Sequence, residues 1–214
     1  MRSVRVKFKK FGSAKYISHL DLNRFMIKAV RRSGIPVWYS EGFNPHPYIT
    51  FALPLSLGFD SEYEFMDIRL DDDCFKNEEV FHSIKDLMPD GLLIESCDDP
   101  VMKAGDIAYA EYKISFNFED AKLMGDICNF LSMDVITAQK KTKNGNYKDI
   151  DLKEYIKDYT AESSGITITL AAGGSNNLNP KLVLDSFENS FGVTLPYYQI
   201  TRTMLYNEKM EAFK

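Results

Sequence analysis

Residues 4–9 read V-R-V-K-F-K, and this strict alternation assigns Val4, Val6 and Phe8 to one face and Arg5, Lys7 and Lys9 to the other. A run of that period is a strand buried on one side only. The period then changes. Ser18 with Asp21 three residues on forms a capping-box pattern, and Leu22, Phe25, Met26, Ala29 and Val30 recur at helical spacing until Gly34 and Pro36 end the helix. Strands over 35–39 (IPVWY), 62–70 and 91–96, with a helix over 75–88 carrying Val80, Ile84, Leu87 and Met88, complete the order βαββαβ. The second half repeats it. A strand over 107–118 alternates Tyr112, Ile114, Phe116 and Phe118; a helix over 120–131, strands over 132–139 and 165–172, a helix over 180–190 opened by Pro180 and a strand over 199–206 follow. This switching of period predicts an α+β fold of two tandem ferredoxin-like units, antiparallel sheets with helices on one face. The units take residues 1–98, which carry the motif-rich loop, and 106–214, on either side of the stretch DDPVMKAG.

Charge is unevenly spread. Residues 1–48 hold ten Lys and Arg against Asp21 and Glu41, a balance of +8, so the remainder carries −13 of the net −5. Screening confines a charge interaction to roughly 8–10 Å at physiological salt, so an acidic protein still binds anions where its cations cluster. Arg5, Lys7 and Lys9 on the predicted open sheet face, and Arg24, Lys28, Arg31 and Arg32 on one stripe of the first helix, are the candidate phosphate contacts. A solvated face is the plain alternative. Tyr63 and Phe65 share the open face and either stack bases or become buried by sheet-on-sheet packing. No apolar run reaches membrane-spanning length and the first residues alternate, which predicts a cytoplasmic protein. Cys74, Cys97 and Cys128 are widely spaced with no CxxC, the pattern of reduced core thiols; no cofactor is expected on this chain.

Residues 39–58, YSEGFNPHPYITFALPLSLG, are rich in rings and prolines and nearly free of charge. Proline holds the residue before it extended, so this loop is expected to keep a shape. It displays Ser40, Gly42, Phe43, Asn44 and His46. Its neighbour KYISHLDLNRF places Tyr16, Ser18, His19, Asp21 and Arg24 at the start of the first helix, where unpaired N–H groups favour anions. Each residue has a bland reading: Asp21 caps the helix and pairs with Arg24, His19 sits at the core edge, and the loop closes over the core. His19, Asp21 and His46 lack helical metal-ligand spacing, so no metal site is assigned. AAGGSNNLNP (171–180) lacks the Walker lysine and a complete GxGxxG, which argues against a nucleotide loop. Arg202 is either the partner of a buried carboxylate or a phosphate clamp.

The segment YISHLDLNRFMIKAVRRSGIPVWYSEGFNPHPYITFALPLSLGFDSEYEFMDI closely resembles the radical SAM-linked protein family, a bacterial family of undetermined function. SHLDL, the following RR, SEGFNPHP, the proline-leucine-glycine turn and SEYE carry the resemblance, with LAAGG and ITRT extending it more loosely. It implies a cobalamin-binding radical SAM protein as partner, encoded beside this chain or fused to it, with the cluster and the radical chemistry in that other polypeptide. The tandem topology is also similar to RAMP-type CRISPR repeat-processing endoribonucleases, from which no catalytic residue transfers.

The function expected is an accessory binding protein for a radical SAM enzyme, recognising or presenting an RNA substrate, with no catalytic activity of its own. The tyrosine, serine, histidine, aspartate and arginine of the helix start and the five loop residues named above would form its substrate site. One alternative is a metal-independent endoribonuclease using His19 or His46 as general acid/base; another is a purely protein–protein interaction module.

Overall fold

A computed structural model of the chain describes residues 1–141, 147–174 and 176–214. It is a mixed α and β chain with four α-helices among the described residues and antiparallel strand pairing. Two compact units account for it, one of Met1–Ile107 with Ala212–Lys214, the other of Ala108–Glu211.

The first unit contains β1 (Arg2–Lys10), α1 (His19–Arg32), β2 (Ile49–Phe51), β3 (Asp60–Leu70), α2 (Asn77–Lys85) and β4 (Leu92–Asp98). Its strands lie in the order β4-β1-β3-β2. The alternation of β1 sets the register: Val4 faces Ile68 and Val6 faces Met66, and all four are excluded from solvent. Leu22, Met26 and Val30 of α1 and Val80 and Ile84 of α2 join the same core. The Ser18 hydroxyl accepts from Asp21 N–H at 3.1 Å and so caps α1. Gly34, at φ +75°, reverses the chain beyond it.

The stretch IPVWY, expected as a strand, makes only isolated bridges, Val37 to Leu70 and Tyr39 to Pro47. Pro36 has no N–H, and Pro45 and Pro47 remove two donors from the returning arm. The ladder on β3 therefore passes to Ile49–Phe51, a run of proline-free residues. The second helix is shorter than its pattern, because Leu87 and Met88 lie beyond Lys85 in the following turn and are half-buried there.

The second unit holds β5 (Ile107–Phe116) from its second residue on, α3 (Ala121–Ser132), β6 (Thr137–Lys141), β7 (Tyr147–Asp151), β8 (Ile156–Glu162), β9 (Gly165–Ala171), α4 (Pro180–Phe191) and β10 (Tyr198–Asn207). The order is β10-β5-β9-β8, while β6 and β7 form a separate hairpin. The strand expected over 132–139 is thus displaced: β6 starts at Thr137 and pairs with β7, and β8 takes the place beside β9. Every second residue of β8 is not apolar, since IKDYTAE lies half-covered or exposed at an edge, and periodicity has nothing to detect there. Phe118 lies past the end of β5 and is exposed. In the glycine segment Gly173 N–H donates to Asn176 C=O at 2.8 Å, closing a turn on its own backbone; Ser175 lies outside the described residues. Asn179 then caps α4 through Lys181 N–H, with Pro180 at the first helical position.

Candidate functional site

Residues 38–48 form a hairpin. Trp38 N–H donates to Arg69 C=O at 2.9 Å and Tyr48 N–H to Trp38 C=O at 2.9 Å, which hang its base on β3. Higher up, Ser40 N–H donates to His46 C=O at 2.9 Å and His46 N–H to the Ser40 hydroxyl at 3.2 Å. The His46 ring lies across the arms with Nδ1 3.0 Å from Ser40 Oγ and 3.2 Å from Asn44 C=O. Gly42 adopts φ +124°, a conformation closed to side chains, and turns the tip. Phe43 beside it is fully exposed, at 105% of its reference area. At the base the Trp38 and Tyr48 rings meet edge to face at 5.2 Å, and the Arg69 guanidinium lies 4.9 and 5.8 Å from their centroids. Sequence pattern missed Trp38 and Arg69 because the strand period counts each only as an alternating position, and it read Tyr48 only as one ring of the loop.

The start of α1 is held separately. Lys10, 1% exposed, donates from Nζ to Ile17 C=O at 2.8 Å, and Gly58 N–H donates to Lys15 C=O at 2.9 Å. These contacts fix the turn that delivers Ser18 and His19. The His19 ring, half-buried, packs edge-on against Phe51 at 5.1 Å. Asp21 accepts from the Ser18 hydroxyl at 2.8 Å and from Arg24 at 3.3 Å. Tyr16, Arg24, Lys28, Arg31 and Arg32 are exposed.

The cations of β1 are placed differently from one another. Arg5, expected on an open face, is 3% exposed: β3 sets Asp67 directly opposite it, and residues 213 and 214 lie over it. Arg5 Nε and Nη2 donate to the two Asp67 oxygens at 2.7 Å each, and Nη1 donates to Met102 C=O at 2.7 Å and Lys214 C=O at 3.1 Å. Phe213 covers this face. Its ring is fully buried, 5.2 Å from Phe65 and 4.5 Å from the Arg5 guanidinium, and its carbonyl accepts from the Tyr63 hydroxyl at 2.9 Å. Phe65 is therefore buried and Tyr63 half-buried, under residues 212–214. Lys7 and Lys9 share Glu95, at 2.9 and 2.8 Å. Burial pushes the Glu95 carboxyl up, but the hydrogen bonds and charges of Lys9 and Lys7 outweigh it and hold the group below its ordinary value. The Glu95 hydrogen bond and charge in turn raise Lys9. In the second unit Arg202, 1% exposed, is interior to β10.

Two clefts remain. One of about 320 Å³ in the first unit is bordered by Lys7, Tyr63, Ser96, Asp98 and Lys214. One of about 330 Å³ in the second lies between β6 and α4, beside Gln139, Asp185 and Asn189. Among the described residues no three His, Cys, Asp or Glu side chains are grouped to hold a metal ion. Cys97 is buried, and burial, with the Asp98 charge, pushes its thiol up to about 12; Cys74 is exposed, contrary to the expectation of a core thiol. No described helix is long and apolar enough to cross a membrane.

Fold and site define an α+β chain that displays an internally hydrogen-bonded, ring-bearing hairpin. Residues 3–180 match the family described as "Uncharacterized protein conserved in bacteria (DUF2344)", and the chain belongs to that family. No curated protein matches it.

Proposed function

We propose that this chain is an accessory binding protein for a radical SAM enzyme and that the 38–48 hairpin is the part that docks. The resemblance of SHLDL, SEGFNPHP and SEYE supplies the partner. Each unit is read as ferredoxin-like, since its last strand lies beside its first, the first beside the third, and the third beside the second; β6 and β7 are then an insertion in the second unit.

The observation that carries the docking reading is Phe43, fully exposed on a loop that its own hydrogen bonds hold in place. A phenyl ring in water forgoes burial worth about 1.5–3 kcal/mol. A partner pocket recovers that energy, and a loop already ordered loses little further entropy on docking. Phe43→Ser should therefore weaken binding of the enzyme by roughly 30-fold, equivalent to about 2 kcal/mol. Titration of the intact chain against the purified enzyme measures this, with the fluorescence of Trp38 as a check that the unit is folded. Equal affinity of the variant and the parent chain removes the hairpin from the contact.

A second reading, an RNA guest, is favoured by Arg24, Lys28, Arg31 and Arg32, all exposed on α1, where Asp21 is the sole acidic residue. Filter binding against salt tests it. Neutralising four phosphates of a single strand gives a log–log slope of about −2.8, and a flat response removes RNA.

A further inference from the structure

We infer that His46 is held as its Nδ1–H tautomer, so that the hairpin offers the bare Nε2 lone pair to an approaching partner as a hydrogen-bond acceptor. The tautomer follows from what surrounds Nδ1. The Asn44 carbonyl oxygen can only accept, and it lies 3.2 Å from that nitrogen. The contact is attractive when Nδ1 carries the proton and sets two lone pairs against each other when it does not. Ser40 Oγ, 3.0 Å away, already accepts from His46 N–H and has a second lone pair for Nδ1–H. A neutral imidazole has one ring proton, so a proton fixed on Nδ1 leaves Nε2 without one.

Nε2 is also available. His46 is exposed, and among the described residues all its hydrogen bonds run through Nδ1 and its backbone. Pro45 and Pro47 on either side restrict the backbone that carries the ring. The group this acceptor recognises is an N–H or O–H donor, an amide, amine or hydroxyl, on the surface that receives Phe43. Its use in docking rests on the reading proposed above; the tautomer does not.

Long-range proton–nitrogen NMR of the intact chain, labelled at its three histidines, reads the tautomer directly. The expected spectrum of the neutral His46 ring has a protonated Nδ1 and an unprotonated Nε2, and a predominant Nε2–H form overturns the inference. Diethyl pyrocarbonate, which acylates a bare imidazole nitrogen, is expected to modify His46 readily, and an unreactive His46 overturns the availability of Nε2. In titrations against the radical SAM enzyme, His46→Ala should lose about tenfold in affinity, a typical loss for one hydrogen bond. His46→Gln, which restores an acceptor, should recover most of it. Equal losses in the two variants overturn the acceptor role. A parent chain that fails to bind the enzyme removes the docking reading, while NMR and acylation still decide the tautomer and its access.

Discussion

Arg5→Met should destabilise the first compact unit by about 3–5 kcal/mol, the loss found when one partner of a buried ion pair is removed. Its guanidinium is almost fully covered and donates to both Asp67 oxygens and to the carbonyls of Met102 and Lys214. Methionine fills much of the volume but leaves the Asp67 carboxylate, 23% exposed, without its counter-charge. It also strips two carbonyls of a donor and the Phe213 ring of its cation. Arg5→Lys should rescue little, because an ammonium cannot make the two parallel bonds of the guanidinium fork. The chain's single tryptophan, Trp38, lies in this unit, so its fluorescence during urea unfolding reports the change selectively. With a slope of about 1–3 kcal/mol per molar urea, the midpoint should fall by at least about 1 M. A loss below about 1 kcal/mol would mean that Arg5 behaves as a solvated cation.

The second large effect is expected at Gly91, just before β4. This residue has φ +86°, and a Cβ built on it would stand 2.4 Å from the Phe11 carbonyl oxygen and 2.8 Å from Ala14 Cβ. The same backbone is tied in place, since Phe11 N–H donates to Gly91 C=O at 2.8 Å. Gly91→Ala must therefore either strain a left-handed residue or push apart the turn that leads to α1. Strain and overpacking each cost about 1–3 kcal/mol. The melting temperature of the first unit should fall on the order of 10 °C. Gly105→Ala is the control, because nothing lies within 4 Å of its Cβ position and its φ is not positive; it should stay within about 0.5 kcal/mol of the parent. Similar melting of both variants would place the Gly91 turn outside the structural frame.

Periodicity made β1 and α1 legible, because Val4, Val6 and Phe8 face a core that Leu22, Met26 and Val30 complete. It was silent where the pairing has no apolar rhythm, as in β8, and where prolines divert a run of strand-forming residues, as in IPVWY. Of the candidate site, the turn at Gly42 and the donors missing at Pro45 and Pro47 could be read from the sequence. The contact of His46 with Ser40, six residues away, needs the two arms to be in register. The exclusion of Arg5 from water was not legible at all, since Asp67, Met102 and residues 213 and 214 meet it from distant parts of the chain. Alternation assigns a side chain to a face; it does not show what covers that face.

Photo-crosslinking from the tip of the hairpin tests the proposed docking most directly. With p-benzoylphenylalanine in place of Phe43, irradiation of the intact chain mixed with the radical SAM enzyme should give a covalent adduct. The same reporter in place of the exposed Glu78 on α2 should give little. Adducts from position 78 as abundant as those from position 43, or none from position 43 while the enzyme remains bound, would contradict the hairpin as the point of contact.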